Sequence, residues 1–323
     1  MTKYVIRRLV QALPLLLAIS VMIFLLMQLI PGGPLAAYEN NPNLTPEDLA
    51  RLKTEFGLDA PIHERYLKWL GSVLTGDWGT SLVSKRPVLA EIGERIPNTF
   101  YLALTAFIGS LLISIPIGVI SATRQYSKFD NFFTTLAFMG QSLPVFWMGL
   151  IVIIIFNVGI KQPDGRPFLP GGGMATIGAD FDMGDRLRHL ILPAAVLIFF
   201  NLGTHVRYMR SGMLDVMHQD FIRTARAKGL DEMGVIAKHG VRNAILPLIT
   251  IIGLELPGLF NGALITETIF SWPGMGRLFF NAIDRSDYAV MMGVLMISAA
   301  LIVLSGLLTD VMYGLLNPRI RFE

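Results

Sequence analysis

Tyr288-AVMMGVLMISAALIVLSGLL-Thr309 carries no charged side chain in 22 consecutive positions, and this run decides the class of fold. A helix rises 1.5 Å per residue, so crossing a hydrocarbon core of about 30 Å takes roughly 20 apolar residues. Five more runs of comparable length lie upstream: Leu9 to Ile30, Thr99 to Ala122, Asn131 to Ile160, His189 to Val206 and Asn243 to Thr266. Only the fifth run along the chain holds a charged residue, Glu255. A buried helix of a soluble core explains one such run but not six. Composition agrees: of 323 residues, 53% are hydrophobic and 16% charged, against roughly 25% charged in a soluble domain. The chain has no cysteine, which excludes disulfide frameworks, thiolate metal sites and cysteine nucleophiles. A net charge of +3 is too balanced for a nucleic-acid binder.

Lys3, Arg7 and Arg8 precede the first run as they would in a signal peptide. A signal's apolar region is about 7 to 15 residues long and ends at small residues. This run is longer and leaves through Pro31-Gly32-Gly33, so it reads as a retained first helix. Orientation follows from the excess of Lys and Arg on the inner side. With the N-terminus inside, segments 1–8, 123–130, 207–242 and 310–323 hold 14 basic residues; 31–98, 161–188 and 267–287 hold 13 over nearly twice the length. Both termini are therefore expected in the cytoplasm. The chain divides into 1–30, the N-terminus and first membrane helix; 31–98, an extracytoplasmic segment; and 99–323, a five-helix core that includes the cytoplasmic loop 207–242. The fold class is all-α membrane protein with six transmembrane helices.

The outer segment has helical signals of its own. Thr45-Pro46-Glu47-Asp48 supplies a cap, a first-turn proline and two carboxylates at a positive helix end, predicting a helix to about Phe56. A second spans Ile62 to Leu74, with Tyr66, Leu67, Trp69 and Leu70 on an apolar side that either covers a core or lies on the membrane surface.

In the inner loop, Leu214, Met217, Phe221 and Ala225 recur at helical spacing, Gly229 ends that helix, and Asp231 and Glu232 suit the start of another reaching about Val241. A glycine-ended helix bearing Ala225 suits insertion into a groove on a soluble partner. A basic loop that only sets topology is the plainer alternative.

These residues resemble the cytoplasmic signature of bacterial ABC importer permeases: glutamate, two alanines, three free positions, glycine, nine free positions, isoleucine, one free position, leucine-proline. Gly229 and Ala225 match; Arg223 and Thr224 stand at the glutamate and first alanine, and Leu246-Pro247 comes five residues later than the closing pair. Arg223-Thr224-Ala225-Arg226-Ala227-Lys228-Gly229 is instead similar to the first permease of the dipeptide, oligopeptide and nickel importers. So, in order, are Tyr4 to Leu9, Pro31-Gly32-Gly33-Pro34, Gly57-Leu58-Asp59 with Pro61, Gly76-Asp77-Trp78-Gly79-Thr80-Ser81, Pro87-Val88 and Arg95-Ile96-Pro97-Asn98-Thr99. The similarity continues through His239, Arg242-Asn243-Ala244, Pro273-Gly274-Met275-Gly276-Arg277-Leu278 and Asn317-Pro318-Arg319-Ile320.

The resemblance implies the type I importer permease architecture and a non-enzymatic pore subunit of the bacterial inner membrane. It implies partners: a second permease, two cytoplasmic ATPases that carry ATP and Mg, and an extracytoplasmic substrate-binding protein. No cofactor is expected on this chain. It also implies coupling to the ATPases through the 220–234 loop, with Asp220, Phe221, Arg223, Thr224, Ala225, Arg226, Lys228, Gly229 and Leu230, and peptides as the cargo. The chain has no Gly-Lys-Ser or Gly-Lys-Thr, so nucleotide chemistry is assigned to another subunit.

Within the membrane, Glu255 falls near the midplane, where a lone carboxylate costs about 2.5 to 3.5 kcal/mol and must face protein or water. Pro257, Gly258 and Gly262 follow, and with Asn261 this stretch either packs closely or lines a path. Pro144 cannot donate to the Gly140 carbonyl, which predicts a kink in the third span; Gln141 and Ser142 either satisfy freed backbone groups or touch substrate. Glu267 and the loop from Ser271 to Arg277 are placed at the outer mouth. The histidines His63, His189, His205, His218 and His239 are too dispersed for a metal site, and no catalytic serine motif occurs. The rival reading is an ion-coupled secondary transporter, which predicts several embedded acids and an inverted repeat; only Glu255 lies at depth.

Overall fold

The computed structural model describes residues 2–30, 33–35, 38, 45–55, 57–255, 257–258 and 263–316. In chain order the helices are α1 Thr2–Gln28, α2 Pro46–Glu55, α3 Ile62–Leu74, α4 Val88–Thr123, α5 Lys128–Ser142 and α6 Val145–Ile153, the last continued by a π-helical stretch Ile154–Gly159. Then come α7 Met183–Met217, α8 Asp220–Ala227, α9 Glu232–Glu255, α10 Leu264–Ile269, α11 Met275–Asp284 and α12 Tyr288–Leu316. Among the described residues there is no β-strand, only isolated bridges at Thr80 with Pro87 and Lys161 with Pro167.

Helices α1, α4, α7, α9 and α12 are each long and apolar enough to cross a membrane. The third expected span differs from the sequence expectation: instead of a kinked helix, α5 and α6 meet at 105°. Leu143 is extended, at φ −87 and ψ 135, because the ring of the following Pro144 crowds an α conformation at the preceding residue. Pro144 then caps α6, where a missing N–H costs nothing. Several helices also outrun their apolar runs. At 35 residues α7 is about 52 Å long, more than a hydrocarbon core needs, and α9 starts at Glu232 and is π-helical over Val235–Val241. The inner loop is therefore helical for most of its length. The predicted α2 ends at Glu55; Phe56 lies outside the described residues.

The chain forms two compact units. The first comprises 1–99, 260–264 and 273–323. Here α1 lies along α12, around Phe24, Met27, Val88, Ile92, Met275 and Met292. Of the two options for α3, packing holds for its aromatics: Tyr66 and Trp69 sit 5.4 and 5.7 Å from the Phe24 ring, and the Tyr66 hydroxyl is 2.8 Å from Ser20 Oγ. The Gly76 to Ser81 loop is tied down by buried Asp287, which accepts from Ser81 Oγ at 2.5 Å and from the Leu82 amide at 3.2 Å. Two motifs far apart in sequence meet where Asn98 Nδ2 donates to the Pro273 carbonyl at 2.8 Å and the Met275 amide donates to Thr99 Oγ1 at 2.7 Å.

The second unit comprises 100–259 and 265–272, and α7 is its spine. Lipid tails are as apolar as leucine, so helices here gain from close backbone approach rather than from the hydrophobic effect. Three glycines provide it. An added Cβ would lie 2.5 Å from the Phe199 carbonyl oxygen at Gly140, 2.6 Å from that of Ala137 at Gly203, and 2.4 Å from that of Ala244 at Gly212. α5 is further clamped to α7 by Asp130, which is 1% exposed and accepts from Arg210 Nε and Nη2, both at 2.8 Å. The Tyr126 amide and Thr134 hydroxyl complete the shell of that carboxylate.

Candidate functional site

The first candidate surface is α8 and the turn that follows. α8 is held to its own chain by one face: Ile222 and Ala225 are buried with Val235 and packed against Val216. Ala225 thus anchors the helix to its own chain. The apolar side chains left exposed are Phe221, Leu230 and Met233, the last at 74%. Asp220, Arg223, Thr224, Lys228 and Gly229 are exposed as well.

The turn is built from three local devices. Gly229 adopts φ +76, and its amide and that of Leu230 donate to the Arg226 and Ala225 carbonyls, closing α8. Asp231 caps α9 by accepting from the Gly234 amide at 2.8 Å. Arg226 makes a two-pronged pair with Glu232, donating from Nε and Nη2 at 3.1 and 2.7 Å, and these bonds to the carboxylate raise the guanidinium's pKa above its already high ordinary value. The result is a short helix fixed at a set angle, presenting an apolar tip among charges.

The second candidate lies within the spans. Glu255 is at the end of α9, with its side chain 31% exposed, and its Oε2 is 2.7 Å from His205 Nε2 on α7. His205 is fully buried; its Nδ1 is 3.0 Å from Ser110 Oγ on α4, and that hydroxyl donates to the Phe107 carbonyl at 2.8 Å. His205 thus contacts Ser110 through one ring nitrogen and Glu255 through the other, so three helices meet at this imidazole. A buried hydrogen-bonding partner offsets part of the cost of placing an acid within a span.

One residue away on α7, Thr204 Oγ1 accepts from Gln141 Nε2 at 2.5 Å. Ser142 Oγ donates to the Phe138 carbonyl at 2.9 Å, so both polar residues at the α5–α6 corner satisfy groups of this chain. Glu267, on α10, is fully buried. Asn261 and Gly262 lie outside the described residues. Sequence reasoning missed His205, Ser110 and the Asp130–Arg210 clamp; a histidine within an apolar run was the available signal, because titratable groups in spans seek partners. Among the described residues no group of three or more His, Asp or Glu side chains could hold a metal ion.

Two family models divide this chain. Residues 114–322 match the binding-protein-dependent transport system inner membrane component, and residues 1–103 match the N-terminal region of such membrane components. The chain belongs to this family. Among relatives of this inner membrane component, the oligopeptide transport system permease protein AppB of Bacillus subtilis (strain 168) is 44% identical over 323 residues, covering all of both chains. The dipeptide transport system permease protein DppB of Escherichia coli (strain K12) is 40% identical over 338 aligned positions, again end to end. The glutathione transport system permease protein GsiC of Salmonella typhimurium is 36% identical over 323. A solved structure of the MetNI methionine ABC transporter in an inward-facing conformation aligns with TM-score 0.55 at 14% identity, covering 71% of this chain and 97% of that one. That likeness establishes the fold. The motif order read from the sequence and the family match agree.

Proposed function

We propose that this inner membrane component forms half of the translocation pathway of an ATP-driven importer for di- or oligopeptides. A second permease completes the pathway, an extracytoplasmic binding protein delivers cargo, and two cytoplasmic ATPases that hold ATP and Mg drive the cycle. In this reading both termini face the cytoplasm and the 31–98 segment lies outside. α8 and its turn dock on an ATPase through Phe221, Leu230 and Met233, and Glu255 borders the path, with Gln141 shaping the α5–α6 corner beside it.

The observation that carries the reading is the two-sided construction of α8. Ile222, Ala225 and Val235 lock one side to α7 and α9, while Phe221 on the helix and Leu230 and Met233 just after it stay exposed. Such a helix transmits a push, because it cannot turn without moving the spans attached to it. Peptide relatives at 40 to 44% identity over full length support the cargo class.

Because the chain has no cysteine, single replacements are clean probes. Phe221→Cys and Met233→Cys are expected to cross-link to a cysteine-bearing ATPase in the assembled complex, and the yield is expected to change on ATP binding. Proteoliposome uptake of a dipeptide should require ATP and the binding protein. Uptake driven by a proton or sodium gradient without ATP would overturn this function in favour of ion-coupled secondary transport.

A further inference from the structure

The first unit contains a cavity of about 1070 Å³ lined by residues of neither candidate surface. Its apolar floor comes from Phe24 in the penultimate turn of α1 and from Met292 in the opening turns of α12, that is, from the ends of two membrane-spanning helices. Trp69 of α3 and Trp78 of the following loop form aromatic walls. Indole rings at the end of a span are what an interface between hydrocarbon and headgroups selects.

Its polar lining is asymmetric in charge. Arg65 and Lys68 stand three residues apart, on one side of α3, and Lys85 joins them. Among the described residues none of the three is paired with a carboxylate; Arg65 Nη2 donates to Gln28 Oε1 at 2.6 Å. Glu64 and Asp77 also line the cavity, and Asp77 Oδ1 is engaged by the Gly79 amide at 3.0 Å. Unpaired cations above an apolar, aromatic floor match an amphiphile with an anionic head. The neighbouring turns of α1 expose Leu25, Leu26 and Leu29, so the helix end that floors the cavity also has a lipid-compatible flank.

We infer that this cavity is a binding site for an anionic phospholipid of the bilayer, its phosphate held by Arg65, Lys68 and Lys85 and the upper part of its acyl chains laid against Phe24, Trp69 and Met292. The volume lies at the upper end of ordinary ligand pockets, as a headgroup with attached chains requires. Basic pockets at the ends of spans recognise such headgroups by charge.

The test uses the assembled importer in phosphatidylcholine nanodiscs doped with photoactivatable phosphatidylglycerol or, in a parallel sample, with photoactivatable phosphatidylcholine. Adducts are mapped by mass spectrometry, with labelling at exposed Leu304 and Leu308 of α12 as the internal reference. The anionic probe is expected to label 62–85 and 288–293 well above the neutral one. Arg65→Gln and Lys68→Gln should each reduce that labelling about fivefold relative to the reference, without loss of co-purifying partners. Equal labelling by both probes, or no labelling of these segments, overturns the proposal. Displacement of the label by a saturating dipeptide also overturns it and assigns the cavity to cargo.

Discussion

Replacing Gly229 tests whether the lever depends on backbone conformation or on surface contact. The residue sits at φ +76, and an added Cβ would meet nothing within 4 Å. Alanine there therefore clashes with no neighbour and costs only the left-handed conformation, about 1 to 2 kcal/mol. That lowers the preference for the native turn by a factor of about 5 to 30. Asparagine tolerates this region best after glycine, and a β-branched residue worst. The Gly, Asn, Ala, Val series is thus expected to lose ATP-coupled uptake in that order, while basal ATPase activity and the amount of assembled complex stay near those of the parent. Uptake per ATP hydrolysed, measured in proteoliposomes with the binding protein enclosed, reads the effect. If Ala and Val keep the parental ratio, the turn's geometry is not what transmits motion. If Asn falls as far as Val, bulk at an interface, and not strain, is responsible.

Other expectations follow from the packing. Asp130→Ala leaves the Arg210 guanidinium without its carboxylate partner and should destabilise the second unit by about 3 to 5 kcal/mol, read as lost monodispersity and a lower Tm; adding Arg210→Met should recover part of it. Gly212→Ala drives a methyl to 2.4 Å from a backbone oxygen that has no rotamer to escape to, costing about 1 to 3 kcal/mol, with a lower Tm as the readout and an unchanged Tm counting against the close α7–α9 approach. Glu255→Gln keeps a partner for His205 but removes the titratable carboxylate, so uptake is expected to fall while assembly is retained; a defect confined to assembly would assign the pair to packing.

The six apolar runs were legible because membrane helices advertise themselves by length and lack of charge, and α3 was found at Ile62 to Leu74 as predicted. Helix ends were less legible. α4, α7 and α9 extend beyond their apolar runs into polar sequence, where hydropathy gives no signal. The α8 turn was half readable: Gly229 and Asp231 declared a stop and a start, but only the fold shows that Ala225 faces inward and Phe221 outward, because a short helix with apolar residues on more than one side does not say which of them is covered.

The chain's own composition and motif order determined that it spans a membrane, where its apolar runs lie, and which family it belongs to, since each depends on local residue chemistry or on linear order. Tertiary structure decided the partners of the polar groups on α5, α7 and α9: His205 for Glu255, Arg210 for Asp130, Thr204 for Gln141. These pairs are separated by 50, 80 and 63 residues, and no local propensity selects between the polar groups available as partners. The choice is made by which helices come close enough, and that is set by the three glycines on α5 and α7 that let backbones touch.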